Sequence, residues 1–276
     1  WYSLHELMIE GGDVLIVGSF GTWQGNDNNA QKVELRKREI SAEQRDSLRR
    51  RLAEDRKRAE LDRKQENERA ALVASKAWSG CSPTGDSPYL VRKSVAGHGI
   101  RYSPQGALVI PMMDTSSKIH GLQIIRGRAP RKTPVAAAAT QAEGQGAPRK
   151  QLEKEFWPKG LIKKGHFHLM GMAVGSAVIL VAEGYATAAS LFEATGLPVA
   201  VAFDAGNLAP AAAALHARYK TARLLICADD DAFSEGNPGV TCASAAAMEV
   251  GGAFVAPAFA DHDARQAAFD TKGTKL

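Results

Sequence analysis

Apolar and polar positions are distributed very differently along the two parts of this chain. Beyond residue 171 short apolar runs alternate with small-residue helical stretches. AVILVAE (177–183), PVAVAFDAGN (198–207) and ARLLICADDD (222–231) read as strands, and AFVAPA (253–258) as a fourth. Continuous apolar runs of this length mark strands covered on both faces. Between them, YATAASLFEATG (185–196), APAAAALHARY (209–219) and GVTCASAAAMEVGG (239–252) read as helices. Strand–helix alternation predicts a small α/β unit with a mainly parallel sheet and right-handed connections.

Upstream the pattern is mixed. DVLIVGSFGTW (13–23) and KVELRKREI (32–40) are strand candidates. SAEQ (41–44) matches a capping box, with Ser41 as N-cap and Gln44 three residues on. From there to about Trp78 no Pro or Gly interrupts a run rich in Arg, Glu, Lys and Ala, which predicts one long helix. Its apolar positions, Leu48, Leu52, Leu61 and Leu72, are too sparse for a heptad seam, so the helix is expected to be largely solvated. PYLVRKSV (88–95) is a short element bearing Arg92 and Lys93. IRYSP (100–104), ALVIPMMD (107–114) and IHGLQIIR (119–126) follow as a meander with TSSK as a turn. Residues 127–150 are rich in Pro, Ala, Gly, Arg and Lys and are expected to form a flexible basic insertion. Order resumes at KEFWPKGLIKKGHFHLMG (154–171), which gathers Lys163, Lys164, His166 and His168. The expected divisions are therefore 1–79, 80–171 and 172–276, the first two forming a mixed α+β part that precedes the α/β domain.

Charge sharpens this division. The net charge of +5 conceals 6 Lys and Arg against 11 Asp and Glu in residues 171–276, and 29 against 19 in residues 1–170. A basic part beside an acidic part suits a polyanion on one surface and metal ions on another, although solubility charge alone accounts for such a split equally well. Cys81, Cys227 and Cys242 lie far apart without a C-x-x-C pair, so no zinc ribbon is expected in this chain and a reduced, cytoplasmic setting is the default. No stretch approaches 18 consecutive apolar residues, so no membrane span is expected. The chain opens on Trp1, which leads to the expectation of a piece of a longer protein.

The candidate chemistry lies at the strand ends. Ligands of open α/β sheets bind outside the carboxyl ends of the strands. Glu183, Asp204 and the run Asp229-Asp230-Asp231 all fall there. Alternation along an extended chain would aim Asp229 and Asp231 one way and Asp230 the other. Crowded carboxylates repel unless a cation neutralises them, and hard oxygens of this kind suit Mg²⁺ or Mn²⁺. Singly, each acid would serve equally as a helix cap; Glu183, Asp229 and Asp231 together point to a metal site.

A glutamate closing one strand and Asp-x-Asp closing a later one resembles the Toprim domain of topoisomerases and DnaG-type primases. More narrowly, EGYATA (183–188) resembles the hexapeptide of TraC-type primases from conjugative plasmids and satellite phages. PYLVRKSV, the ALVIPMMD to IHGLQII meander and KEFWPKG to GHFHLMG are similar to the basic subdomain preceding Toprim in that group. The resemblance implies template-directed synthesis of short RNA from nucleoside triphosphates on single-stranded DNA, with two divalent cations. Glu183 then matches the Toprim glutamate, as a metal ligand or as the base for a 3′-hydroxyl, and Asp229 and Asp231 match the metal-binding aspartates. Gly184 would let phosphate approach the backbone closely, next to a helix N-terminus. Arg92, Lys93, Lys163, Lys164 and His168 are the residues placed along template or nucleotide, with Asp204 and Asn207 at the rim and His262 and Asp263 as a further acidic turn. Trp78, Tyr89 and Trp157 are stacking candidates and equally core aromatics. No G-x-x-x-x-G-K-[ST] loop occurs, so a helicase or DNA-binding domain is expected elsewhere in a full-length protein. Two other functions stay open on the same acids: a metal-dependent Toprim nuclease, and a non-catalytic module that binds single-stranded DNA.

Overall fold

A computed structural model describes residues 2–8, 14–21, 31–32, 42–126, 154–232 and 234–258. Most of the 32–40 strand candidate, the Ser41 cap, the 127–150 insertion and the His262–Asp263 turn lie outside the described residues. The chain divides into two compact units, Trp1–Gln65 and Glu66–Leu276.

The first unit holds an antiparallel sheet in the order β1 (Tyr2–Met8), β2 (Val14–Phe20) and β3 (Gln31–Lys32). Strand β1 has no counterpart among the elements that the apolar pattern predicts. The long helix is present as α1 (Ala42–Ser79). Among the described side chains charged residues surround its axis, and Ala70, Ala71 and Ala74, near its end, are buried. Ala74 packs with Val109 and Leu122, flanked by Trp78 and Trp157. A helix that is polar all round finds no core to join, and the short alanine stripe is where this one does.

Within the second unit, α2 (Pro88–Lys93) leads into a meander of β4 (Arg101–Tyr102), β5 (Leu108–Met113), β6 (Ile119–Ile125) and β7 (Lys154–Trp157). The expected strand–turn–strand is present, with Asp114 Oδ1 accepting from the Ser116 and Lys118 amides at 2.8 and 3.1 Å to close the turn. Trp157 supports the Val109–Leu122 cluster and Tyr89 is 2% exposed. Arg101 lies over the Trp78 ring, 4.9 Å from its centroid. All three candidate stacking aromatics therefore have structural roles.

The α/β part follows as β8 (His168–Met170), β9 (Val178–Ala182), α3 (Tyr185–Thr195), β10 (Val199–Val201), α4 (Leu208–Arg218), β11 (Arg223–Cys227), α5 (Pro238–Glu249) and β12 (Ala253–Val255). Its strands lie in the order β12-β11-β9-β10-β8. The four later strands are parallel, as their apolar runs predict, and β8 joins β10 antiparallel at one edge. Tyr185, Ala188 and Ala189 of α3 share one core with Leu108, Ile110 and Met112 of the meander. Helices α4 and α5 cover the opposite face with Ala211, Ala212, Leu215, Ala243, Ala246 and Ala247. The alanine-rich helices let backbone approach the sheet closely, and the side chains between them are fully buried.

Strand β10 is shorter than its apolar run. Pairing stops at Val201 because Phe203 adopts φ +75°, an uncommon conformation for a bulky residue, and turns the chain into a short 3₁₀ helix at Ala205–Asn207. The Phe203 ring is held edge-on to Phe156, with centroids 6.2 Å apart.

Candidate active site

Strand order places the acids together. From β9 the chain crosses through α3 to β10 on one side, then returns through α4 to β11 on the other. Helices α3 and α5 therefore leave neighbouring strands on opposite faces, which makes the carboxyl ends of β9 and β11 the topological switch point, where open α/β sheets have their ligand crevice. Ala182 stands opposite Cys227 in the parallel pair, so Glu183 and Asp229 extend adjacent strand ends. Both are half-buried, as are Asp230 and Asp231.

The Asp229–Asp231 run does not continue the strand, so strand alternation does not set its geometry. Asn237 organises it instead. Its Oδ1 accepts from the Asp231 amide at 3.0 Å and from Val240 N at 3.4 Å, while its Nδ2 donates to Asp230 Oδ1 at 2.9 Å. One side chain thus caps α5 and shapes the acid loop, from a left-handed backbone (φ +40°) that asparagine tolerates. Gly239, in the first turn of α5, lies against the same loop. A Cβ there would stand 2.2 Å from the Asp229 carbonyl oxygen. Thr187 Oγ1 reaches Asp229 Oδ1 at 3.4 Å and so links α3 to the acid loop that follows β11. Sequence reasoning missed Asn237, Gly239 and Thr187; the Asn-Pro-Gly start of α5 and the threonine within EGYATA were their signals.

Gly184 caps α3 with φ −104°, which any residue adopts. The nearest atom to a Cβ there would be Thr187 Oγ1 at 3.9 Å, so the space at this position is open and packing does not require glycine. Tyr185 is buried and accepts from the His98 amide at 2.7 Å. Glu193 accepts from the Ala96 amide and bonds His98 Nε2, both at 2.7 Å. Helix α3 is thereby tied to the 96–98 turn that follows α2, whose Arg92 and Lys93 are exposed.

Asp204 lies three residues beyond the paired end of β10 and accepts from Asn207 N at 3.1 Å. It also receives the Lys163 ammonium, which sits 5.2 Å from the Phe156 ring centroid. Lys164 is exposed beside it. The Cys242 thiol on α5 is pushed up by burial, then by the carboxylates of Glu183 and Asp204, so those two acids act on one neighbourhood. Asn207, the other rim candidate, is buried, at 1% exposed.

His168 differs most from its expected setting. It is 1% exposed, its Nε2 donates to the His98 carbonyl at 2.8 Å, and burial pushes its pKa down to about 4. A neutral histidine in that position orders the core between β8 and the 98 turn and presents nothing to a phosphate. His166 is also lowered to about 4, by burial and then by His120, whose ring centroid lies 4.1 Å away and whose Nε2 meets Asp114 Oδ2 at 2.8 Å.

Among the described residues no three His, Cys, Asp or Glu side chains converge as a ready-made metal cage. The donors at the crevice are nevertheless hard carboxylate oxygens on two adjacent strand ends. That donor set fits Mg²⁺ or Mn²⁺, which retain water and complete their shells from phosphate, better than it fits zinc.

A model of the Toprim domain matches residues 178–266, which include β9, the acid crevice and β12. The similarity of the chain extends further upstream. It is 33% identical over 212 residues to DNA primase TraC of Escherichia coli, covering 74% of this chain and 18% of that protein. A second DNA primase TraC of Escherichia coli is 42% identical over 105 residues, covering 36% and 7%. The chain therefore spans less than a fifth of the length of these relatives. Among solved structures, a DnaG primase catalytic domain bound to single-stranded DNA has a TM-score of 0.45 at 13% identity, covering 76% of this chain and 80% of that one. The RNA polymerase domain of Mycobacterium tuberculosis primase DnaG has a TM-score of 0.38 at 14% identity, covering 75% and 80%. No described helix is long and apolar enough to cross a membrane.

Proposed function

We propose that this chain is the catalytic core of a DNA primase, which joins nucleoside triphosphates into short RNA on a single-stranded DNA template. The observation that carries the proposal is the Toprim acid crevice at the switch between β9 and β11, preceded by a basic subdomain within the stretch similar to TraC. Glu183, Asp229 and Asp231 are the residues that would hold two Mg²⁺ or Mn²⁺ ions. Such ions supply charge neutralisation for both the attacking and the leaving oxygen of an in-line phosphoryl transfer.

The protein's own contribution is placement. Asn237 and Gly239 fix the Asp229–Asp231 loop, and Thr187 ties it to the helix that begins beside Glu183. Gly184 leaves room for phosphate against the first amides of α3. Lys163 and Lys164 stand on the β10 side of the crevice for triphosphate or template phosphate, and Arg92 and Lys93 extend a basic surface along α2. His168 takes no part in binding. The core works in the cytoplasm within a longer protein whose other domains supply helicase or DNA-recognition functions.

The test supplies single-stranded DNA, labelled nucleoside triphosphates and Mg²⁺ or Mn²⁺. Short RNA products that fall at least about 100-fold in Glu183→Gln and Asp229→Asn support the proposal. DNA shortened without nucleotide incorporation replaces it with a Toprim nuclease. DNA binding that survives EDTA without any product replaces it with a non-catalytic binding module.

A further inference from the structure

Asn207 is a buried side chain whose amide oxygen and amide nitrogen are both hydrogen-bonded. Its Oδ1 accepts from the Gly165 amide at 2.8 Å, and its Nδ2 donates to the His166 and Ala202 carbonyls, also at 2.8 Å. Its own amide donates to Asp204 Oδ1 at 3.1 Å. One buried residue therefore joins three pieces of chain: the Lys163–His166 turn, the end of β10 and the Asp204 carboxylate. The turn is closed by a hydrogen bond from the His166 amide to the Lys163 carbonyl at 3.0 Å, with Gly165 at φ +78°. Lys163 leaves it to meet Asp204, and Lys164 leaves it exposed.

We propose that Asn207 is a positioning residue, which locks Lys163–His166 as a phosphate-binding turn beside the acid crevice. The proposal deepens the primase assignment and rests on it for the ligand, the phosphates of template or nucleotide. Two lysines on a free loop would bind anions weakly and without fixed geometry, because each loses conformational entropy on binding. Held through Asn207, they keep one distance to the carboxylates of β9 and β11. Asp204 then serves to orient Lys163 and is not needed as a metal ligand.

The test measures binding of fluorescent oligo(dT) by anisotropy as a function of NaCl, using the full chain and no catalysis. Replacing both lysines, in Lys163→Met/Lys164→Met, is expected to flatten the slope of log K against log salt by about 0.7 for each phosphate no longer neutralised, ~1.4 for the pair. Asn207→Ala, which leaves both charges in place, is expected to reproduce most of that flattening. The triple variant is expected to match the lysine pair with no further change. Amide exchange accompanies the titration, with faster exchange at residues 163–167 and unchanged protection at 179–182. If Asn207→Ala loses protection at 179–182 as well, Asn207→Ser, which keeps one hydroxyl for the site, replaces it.

A wild-type slope in a folded Asn207 variant overturns the proposal, and so does an additive triple variant. Failure of the wild-type chain to bind DNA at low salt overturns both the phosphate role and the primase assignment. Retained binding with an unchanged Asn207 slope removes the positioning role alone.

Discussion

His168 offers a quantitative test of how the two sheets are joined. Its imidazole is 1% exposed and its Nε2 donates to the His98 carbonyl at 2.8 Å, while burial holds its pKa at about 4. In the unfolded chain the value returns to about 6.5. Between those values the unfolded state binds a proton that the folded state refuses, so stability falls as the pH drops through 6.5 and levels off below about 4. At pH 5.0 the difference is about 1.5 pH units, or about 2 kcal/mol at 1.36 kcal/mol per unit. His168→Gln keeps an amide N–H for the His98 carbonyl and removes the titration. Urea unfolding followed by tryptophan fluorescence at pH 7.5 and 5.0 checks the sign and the size. The wild type should lose about 2 kcal/mol more than His168→Gln over that interval. His166, lowered in the same direction, is common to both proteins and cancels. An identical pH dependence in the two proteins would refute the argument and show that the imidazole is protonated in the fold.

Three further outcomes follow from the site. Gly239→Ala should cost about 1–3 kcal/mol and abolish primer synthesis, because its Cβ would stand 2.2 Å from the Asp229 carbonyl oxygen; thermal unfolding and an incorporation assay read the two effects. Asn237→Gly should preserve the φ +40° backbone and remove the bonds to Asp231 N, Val240 N and Asp230 Oδ1, lowering stability by about 1 kcal/mol and weakening Mn²⁺ binding measured by calorimetry. Cys242 should alkylate slowly at pH 8, since burial and then the Glu183 and Asp204 carboxylates disfavour its thiolate; Glu183→Gln should speed the reaction at the Cys242 peptide, read by mass spectrometry, and an unchanged rate would place Glu183 elsewhere.

Local pattern determined a good deal of this protein by itself. Continuous apolar runs announced β9 and β11 because strands covered on both faces have no polar side to show. The charged run without glycine or proline announced α1 because nothing in it interrupts a helix. EGYATA with Asp-x-Asp made Glu183, Asp229 and Asp231 the metal-ligand candidates because a metal site must draw on a short list of residue types. Tertiary structure decided what those residues face. Strand order brought Glu183 and Asp229 onto neighbouring ends, and Phe203 at φ +75° ended β10 before its apolar run did. Asn207, a rim candidate by position, became the buried link between a turn and a strand end. His168, basic by composition, became a neutral core residue. Charge and polarity belong to the residue, but burial and hydrogen-bond partners belong to the packing of segments distant in sequence. Those partners determine whether a polar side chain meets a ligand or holds the fold together.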